Sequence, residues 1–185
     1  MKIDSDLLYP LNEFYEEAGL GLPEVERVEA GQMPEPYKSL LVHRHDMTPT
    51  LEKFHQQPIH LRMLKHRHRG EVFSRQVLLL LDTSQKPAEF GAIKIYLQHF
   101  SRRAQQLILE GQRPLGSILS SERNSHTSHP KAYLQLISDA TISEALLTEE
   151  SIKLYGRRNV LISASQETLA EILEILPPDG DRGVL

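Results

Sequence analysis

The 185-residue sequence contains no cysteine and no long apolar run. Without cysteine the chain has no disulfide, no thiolate metal ligand and no cysteine nucleophile, which is compatible with a reducing compartment. A membrane-spanning helix needs about 18 or more consecutive apolar residues, and no such stretch occurs. Residues 1–6 are polar and acidic, unlike an export signal. We therefore expect a soluble cytoplasmic protein that is not exported.

Several function classes lack their sequence motif. There is no phosphate-binding loop (G-x-x-x-x-G-K followed by Ser or Thr), no G-x-S-x-G serine-hydrolase motif and no H-E-x-x-H zinc motif. The net charge is −4 and the isoelectric point about 6.1. Such a balance disfavours nucleic acid or an anionic membrane as the main partner. A small-molecule partner is expected instead, and the oligomeric state is left open.

The hydrophobic fraction of 39% and the charged fraction of 25% are close to globular averages. This length suits one domain with a sizeable core. Pro177-Pro178 ends the last apolar run, and an Asp- and Gly-rich segment follows. We expect a single domain over residues 1–178 and a flexible C-terminal tail over residues 179–185.

Apolar spacing predicts an α+β protein with helices packed on a single antiparallel sheet of about six strands. Three successive strands joined by short turns pair antiparallel. The stretch 19–36 is expected to cross the surface without regular structure, and 113–119 to form a tight apolar turn. Strands are predicted near 59–64, 71–82, 90–97, 131–137, 160–162 and 169–176. Helices are predicted near 4–17, 37–43, 48–54, 98–110 and 142–147.

Arg75 opens the apolar strand 71–82 and is the first candidate site residue. Side chains of this strand alternate between two apolar faces, which predicts burial on both sides and a central place in the sheet. An arginine does not lose its proton, so a buried one needs an anion, either a protein carboxylate or a ligand. The strand is therefore expected to form the floor of a pocket, although a structural Arg–Glu pair is the alternative.

Glu171 and Glu174 stand in the otherwise apolar run 169–176. Their separation of three residues places them on opposite faces of a strand, so at least one is expected on the covered side. Desolvation there would raise the pKa of the carboxyl group and suit proton donation. The alternative is that one glutamate pairs with Arg75 while the other meets solvent.

Two histidine pairs, His43/His45 and His66/His68, have the i, i+2 spacing that puts two imidazoles on one face of a strand. Flanking arginines and lysines repel a metal ion, and nothing else completes a ligand set. His126 and His129 fall in a polar segment that is expected to be a loop. No metal and no cofactor are predicted.

The order of several short motifs resembles the chorismate pyruvate-lyase (4-hydroxybenzoate synthase) family across about residues 40–178. They are Asp46-Met47-Thr48, Arg75 before an apolar strand, Pro114-Leu115-Gly116, Tyr155-Gly156-Arg157-Arg158 and a glutamate-containing last strand that runs into Pro177. Residues 1–35 and the segment after Gly116 depart from the better-known bacterial enzymes, which indicates a distant branch.

The resemblance implies a chorismate lyase-like fold and a cofactor-independent lyase that releases pyruvate from chorismate, a dicarboxylate, to leave 4-hydroxybenzoate or a related aromatic acid. By motif, Met47 would line the pocket, Arg75 would bind a carboxylate and Leu115 would add a main-chain contact. Glu174 would be the catalytic acid/base, with Glu171 as the alternative. The competing hypothesis is a non-catalytic module of the same fold that binds small aromatic or acidic ligands, as in effector domains of transcription regulators.

Overall fold

Seven strands form one antiparallel sheet in the computed structural model, which describes residues 5–178. Their spatial order is β1-β5-β6-β7-β4-β3-β2. The α+β class and the antiparallel sheet are therefore confirmed, and the predicted tail lies outside the described residues. The strands are β1 Val25–Val28, β2 Ile59–Arg69, β3 Val72–Leu81, β4 Pro87–Tyr96, β5 His126–Ile137, β6 Lys153–Ser163 and β7 Thr168–Leu176.

Helices cover both faces of this sheet. Short 3-10 segments lie at Ser5–Leu8, Ala30–Gln32 and Leu97–His99. No helix within residues 5–178 is long and apolar enough to cross a membrane. The α-helices are α1 Leu11–Ala18, α2 Tyr37–Leu41, α3 Met47–His55, α4 Arg102–Glu110, α5 Leu115–Ser121 and α6 Ala140–Leu146.

All six predicted strands are present, and β1 is the strand that the sequence did not predict. Its four residues, Val25-Glu26-Arg27-Val28, carry two charges in the middle and show no apolar alternation. Because it pairs only with β5 at the edge of the sheet, backbone hydrogen bonds decide its structure more than side-chain burial does. The expectation of an irregular stretch over 19–36 is therefore wrong at β1.

Helix α5 replaces the predicted tight turn at 113–119. Pro114 precedes the helix, and Leu115, Ile118 and Leu119 are buried at helical spacing. Pro114 and Gly116 favoured a turn in the sequence, yet Pro is tolerated where a helix begins. The expected loop around His126 and His129 is also wrong, because both residues belong to β5.

The two faces of the sheet have separate cores. On the first face, α1 and α6 cover apolar side chains of β3 to β7, with Leu78 and Leu80 contributed by β3. The second face carries two clusters, one under α4 and α5 and the other under α2 and α3. Buried polar side chains lie between these two clusters and form a polar seam. They are Arg75, Glu89, Arg157, Asn159 and Glu174.

Strand β3 is buried on both faces, as predicted. Leu78 and Leu80 belong to the core of the first face, whereas Leu79 and Leu81 pack under α2 and α3 on the second. However, β3 lies next to the edge strand β2, and β7 occupies the centre of the sheet. The expectation that β3 is central is therefore wrong: α3 and α5, not a central position, shield its second face near Arg75.

Candidate functional site

A cavity of about 70 Å³ lies in the polar seam on the second face. Two rows of paired residues on β3, β4, β7 and β6 form its floor. Gly91 stands in the middle of this floor and provides no side chain, which leaves space above the sheet. The first row is Val77, Gly91, Glu174 and Arg157, and the second is Arg75, Ile93, Ile172 and Asn159.

Arg75 is a buried cation without a carboxylate partner among residues 5–178. Its residue exposure is 1%, and its Nη2 donates to the carbonyl oxygen of Arg113 at 3.0 Å. Nε and Nη1 are buried and have no hydrogen-bond partner in the described chain. Burial lowers the pKa of this guanidinium to about 10, so it stays charged near neutral pH. The predicted entry of Arg75 into the interior is confirmed.

Glu174 pairs with Arg157, not with Arg75. The guanidinium donates from Nε to Oε2 and from Nη2 to Oε1, the latter at 3.3 Å, and both residues are buried. Burial alone would lower the pKa of Arg157, but the Glu174 charge and hydrogen bond raise it overall. The Glu174 carboxylate is thus the counterion of a buried arginine.

Arg157 also holds the chain between α2 and α3. Nη1 donates to the carbonyl oxygens of Leu41 at 3.3 Å and His43 at 3.1 Å, and Nη2 to that of His45 at 3.4 Å. With Glu174, these contacts engage all three nitrogens of the guanidinium. Arg157 therefore stabilises the conformation of the segment between α2 and α3.

Glu89 is the second acidic residue of the cavity. It is 4% exposed, and its Oε2 is buried without a hydrogen-bond partner among residues 5–178. Burial raises the pKa of this carboxyl well above its usual range, and the nearby charge of Glu174 adds to this effect. The surroundings of Glu89 therefore favour its protonated, neutral form.

The beginnings of α3 and α5 cover the cavity, with Met47 and Leu115 in its lining. Asp46 precedes α3 and forms an ion pair with His126 of β5, at 3.0 Å between Oδ1 and Nε2. A methyl group on Gly116 would lie 3.3 Å from the Asp46 carboxylate, so the two helix starts pack closely. The Asp46–His126 pair therefore fastens this cover to the sheet.

The structure brings together Met47, Arg75, Leu115 and Glu174, the four preferred site residues. Sequence reasoning missed Glu89 and Asn159 and gave Arg157 no role. Glu89 shows the same signal as Glu174, a lone acid in an apolar strand. Asn159 exchanges hydrogen bonds with Ser128 at 2.8 and 3.1 Å, so its amide is already engaged.

Glu171 lies on the opposite face from Glu174, as predicted. It accepts hydrogen bonds from Tyr96 at 2.7 Å and from Arg158 at 3.4 Å. It does not line the cavity. Glu174 is therefore the glutamate of the last strand that reaches the covered site.

The histidines have separate surroundings. His43 and His45 stack at 5.6 Å, and His66 and His68 both approach the ring of Phe73. No group of three or more His, Asp or Glu side chains within residues 5–178 is arranged to hold a metal ion.

A larger cleft of about 660 Å³ opens at the end of the sheet between α2, α3 and α6. Its walls include Leu40, Leu51, Leu146 and Leu176, and none of the buried polar side chains in the described chain lines it. The smaller cavity is the better candidate site because specificity needs polar groups placed inside an apolar lining.

No protein-family model and no curated protein match the sequence. Solved structures do share its fold, and they include ligand-binding and effector domains. One is the ligand-binding domain described as that of a GntR-family transcriptional regulator from Bordetella bronchiseptica. It has a TM-score of 0.53 and 16% identity, and the match covers 65% of this chain and 86% of that domain.

The effector domain of PhnF from Mycobacterium smegmatis matches with a TM-score of 0.56 and 11% identity, over 74% of this chain and 90% of that domain. A longer PhnF structure gives a TM-score of 0.57 at 9% identity, over 75% of this chain but only 66% of the PhnF chain. These identities establish a likeness of fold.

The expectation of a chorismate pyruvate-lyase is wrong. The two domains described above are the ligand-binding domain of a transcriptional regulator and an effector domain, not lyases. The site agrees, because Glu174, the expected acid/base, has both carboxylate oxygens engaged by Arg157. The motif order that resembles the lyases follows the order of strands and helices, so it reflects the shared fold and not the chemistry.

Proposed function

We propose that the protein is a non-catalytic binding module for a small carboxylate, which Arg75 holds in the cavity on the second face of the sheet. The observation that carries the proposal is a fully buried guanidinium with two nitrogens that have no hydrogen-bond partner among residues 5–178. Burying a charge is costly unless a partner compensates it. A ligand carboxylate provides that partner and forms charge-assisted hydrogen bonds.

The other charges of the cavity leave Arg75 as the anion-binding group. Arg157 is neutralised by Glu174, and Asp46 pairs with His126. The expected chorismate-like dicarboxylate carries two negative charges, but among residues 5–178 the cavity offers one unpaired cation. A single carboxylate therefore suits the site better.

The size of the cavity also restricts the ligand. Ligand pockets commonly measure about 300–1,000 Å³, whereas this one measures about 70 Å³. Apolar side chains such as Val77, Ile93 and Leu161 supply most of the remaining lining. A short carboxylate fits this volume, while a larger ligand requires α3 and α5 to move outward.

The fold neighbours support binding without catalysis. Two of them are a ligand-binding domain and an effector domain, and the match covers 86% and 90% of these two chains. For this chain, a comparable role is the recognition of a small metabolite that changes the state of a regulatory partner.

Calorimetric titration of the purified protein with monocarboxylates of two to seven carbons tests the proposal. We expect at least one to bind and to be recovered unchanged. Arg75→Lys should weaken binding about tenfold or more, since a point charge lacks the planar donor geometry, and Arg75→Met should abolish it. Arg69→Lys, at a largely exposed arginine of β2, is the matched control and should bind normally. Equal affinity in the wild type and both Arg75 variants would disprove the assignment.

A further inference from the structure

Glu89 is the acidic side chain of the cavity that no cation in residues 5–178 pairs with. It stands on β4 opposite Leu79, while Arg75 stands on β3 opposite Ile93. Four residues thus separate the two backbone positions along the strands, or about 14 Å at a rise of about 3.4 Å per residue. The Glu89 side chain extends over Gly91, where Oε1 would lie 3.1 Å from an added Cβ, so its carboxyl group is displaced from its own position toward the row of Arg75.

The charges around Glu89 come from three other strands. Glu174 of β7 and Arg157 of β6 cancel each other in their ion pair, and Arg75 of β3 remains positive. Burial and the charge of Glu174 raise the pKa of Glu89 well above its usual range. The Arg157–Glu174 pair carries no net charge, so Arg75 is the cation of the cavity without a carboxylate partner among residues 5–178.

We propose that Glu89 donates a hydrogen bond from its carboxylic acid group to an uncharged oxygen of the ligand whose carboxylate binds Arg75. This inference rests on the proposed function and specifies its ligand class. The ligand is a short monocarboxylate with a carbonyl or similar neutral oxygen at its other end. Glu89 Oε2 is buried and has no hydrogen-bond partner among residues 5–178, and its hydroxyl group donates to this ligand oxygen.

Two related ligand classes are rejected for different reasons. A plain fatty acid leaves the Glu89 hydroxyl without an acceptor, and an unsatisfied buried donor costs free energy. A dicarboxylate places its second negative charge near Glu174 and Glu89, where no free cation is available. Specificity therefore arises at Glu89, and anion binding arises at Arg75.

Three acids with five-carbon chains separate these effects: levulinate, pentanoate and glutarate. Levulinate has a ketone oxygen at the far end, pentanoate has none, and glutarate carries a second carboxylate. We expect calorimetry on the wild type to show levulinate binding about tenfold more tightly than pentanoate, the effect of one buried hydrogen bond. Glutarate should bind more weakly than levulinate by at least that factor.

Variants of Glu89 then test the residue itself. Glu89→Gln keeps a neutral donor and should retain the preference for levulinate. Glu89→Met has a similar volume without a donor, and it should bind pentanoate and levulinate with equal affinity. If Glu89→Met fails to fold, the wild-type ligand series and Glu89→Gln still decide the question.

The outcomes distinguish this inference from the proposed function. If neither these acids nor any other monocarboxylate binds the wild type, both the binding function and the role of Glu89 are disproved. If the acids bind through Arg75 but pentanoate equals levulinate, the binding function stands and the role of Glu89 is wrong. A Glu89→Gln variant that binds glutarate much more tightly than the wild type would show that Glu89 is ionised, which would also overturn the inference.

Discussion

Arg157 and Glu174 lie directly opposite each other on β6 and β7 and form an ion pair in which both residues are buried. In this pair Arg157 neutralises the charge of Glu174, the glutamate that the sequence indicated as an acid/base. It also leaves Arg75, one row further along the sheet, without a counterion in the part of the chain that the structure describes. The distribution of charge in the cavity thus follows from one cross-strand contact.

Loss of the Glu174 charge should destabilise the fold. Glu174→Gln leaves the Arg157 guanidinium buried without its counterion, and breaking such a pair typically costs about 3–5 kcal/mol. Urea denaturation measures this change in the free energy of unfolding. The double variant Arg157→Met/Glu174→Leu should recover only part of the loss, since it removes both charges but also removes the donor to the carbonyl oxygens of Leu41, His43 and His45. Glu171→Gln, on the other face, is the control and should cost about 1 kcal/mol or less.

Arg75→Met should have the opposite effect on stability. Because this variant removes an uncompensated buried charge, we expect the free energy of unfolding to stay unchanged or to rise by up to about 2 kcal/mol. Carboxylate binding should disappear at the same time. A decrease of about 3 kcal/mol or more in urea denaturation would instead indicate that Arg75 has a structural role.

Gly91 should be required for the cavity itself. The methyl group of Gly91→Ala would lie 3.1 Å from Glu89 Oε1 and 3.4 Å from Val77 Cγ2, inside the space above the floor. We expect about tenfold weaker ligand binding, with a change in unfolding free energy of about 1 kcal/mol or less, because the Glu89 side chain can shift.

The control for this variant is Gly156→Ala on β6. Its methyl group would lie 2.5 Å from the main-chain oxygen of Glu174, which cannot move as a side chain does. We expect this variant to lose about 1–3 kcal/mol of stability in urea denaturation. Normal ligand binding by Gly91→Ala would place the binding site elsewhere.

The Asp46–His126 pair should make stability depend on pH. The hydrogen bond that the His126 imidazole donates to the Asp46 carboxylate is the main cause that raises the pKa of His126 above 6.5, although burial opposes it. A raised pKa in the folded state means that the stabilisation is fully present below pH 6.5 and is lost as pH rises through the higher folded value.

Urea denaturation of the wild type and His126→Gln across this range measures the effect. The stability difference between them should be largest on the acidic side and should shrink as pH increases above 6.5. His43, whose pKa is lowered mainly by burial and further by Arg157, works in the opposite direction and is retained in both proteins. A difference that does not change with pH would mean that His126 is not charged in the folded state.

Local pattern was enough to predict the burial of Arg75 and the covered position of one of Glu171 and Glu174, whereas the preference for Glu174 came from the resemblance to the lyase family. A charged side chain inside an apolar strand is costly, so its position alone indicates a special environment. Glu89 carries the same signal in Pro87-Ala88-Glu89-Phe90, and it could have been found by the same reasoning. The segment of α5 contains both Pro114 and Gly116, so the sequence favoured a turn over a short helix.

The sequence by itself determined the antiparallel α+β fold, the burial of β3 on both faces and the opposite orientations of Glu171 and Glu174. These properties depend on the alternation of side chains along a strand, which is local. Only the tertiary structure decided which charges meet, because the order of β3, β4, β7 and β6 brings together residues from distant parts of the chain. That order pairs Glu174 with Arg157, leaves Arg75 without a carboxylate partner among residues 5–178 and places Glu89 in the same cavity.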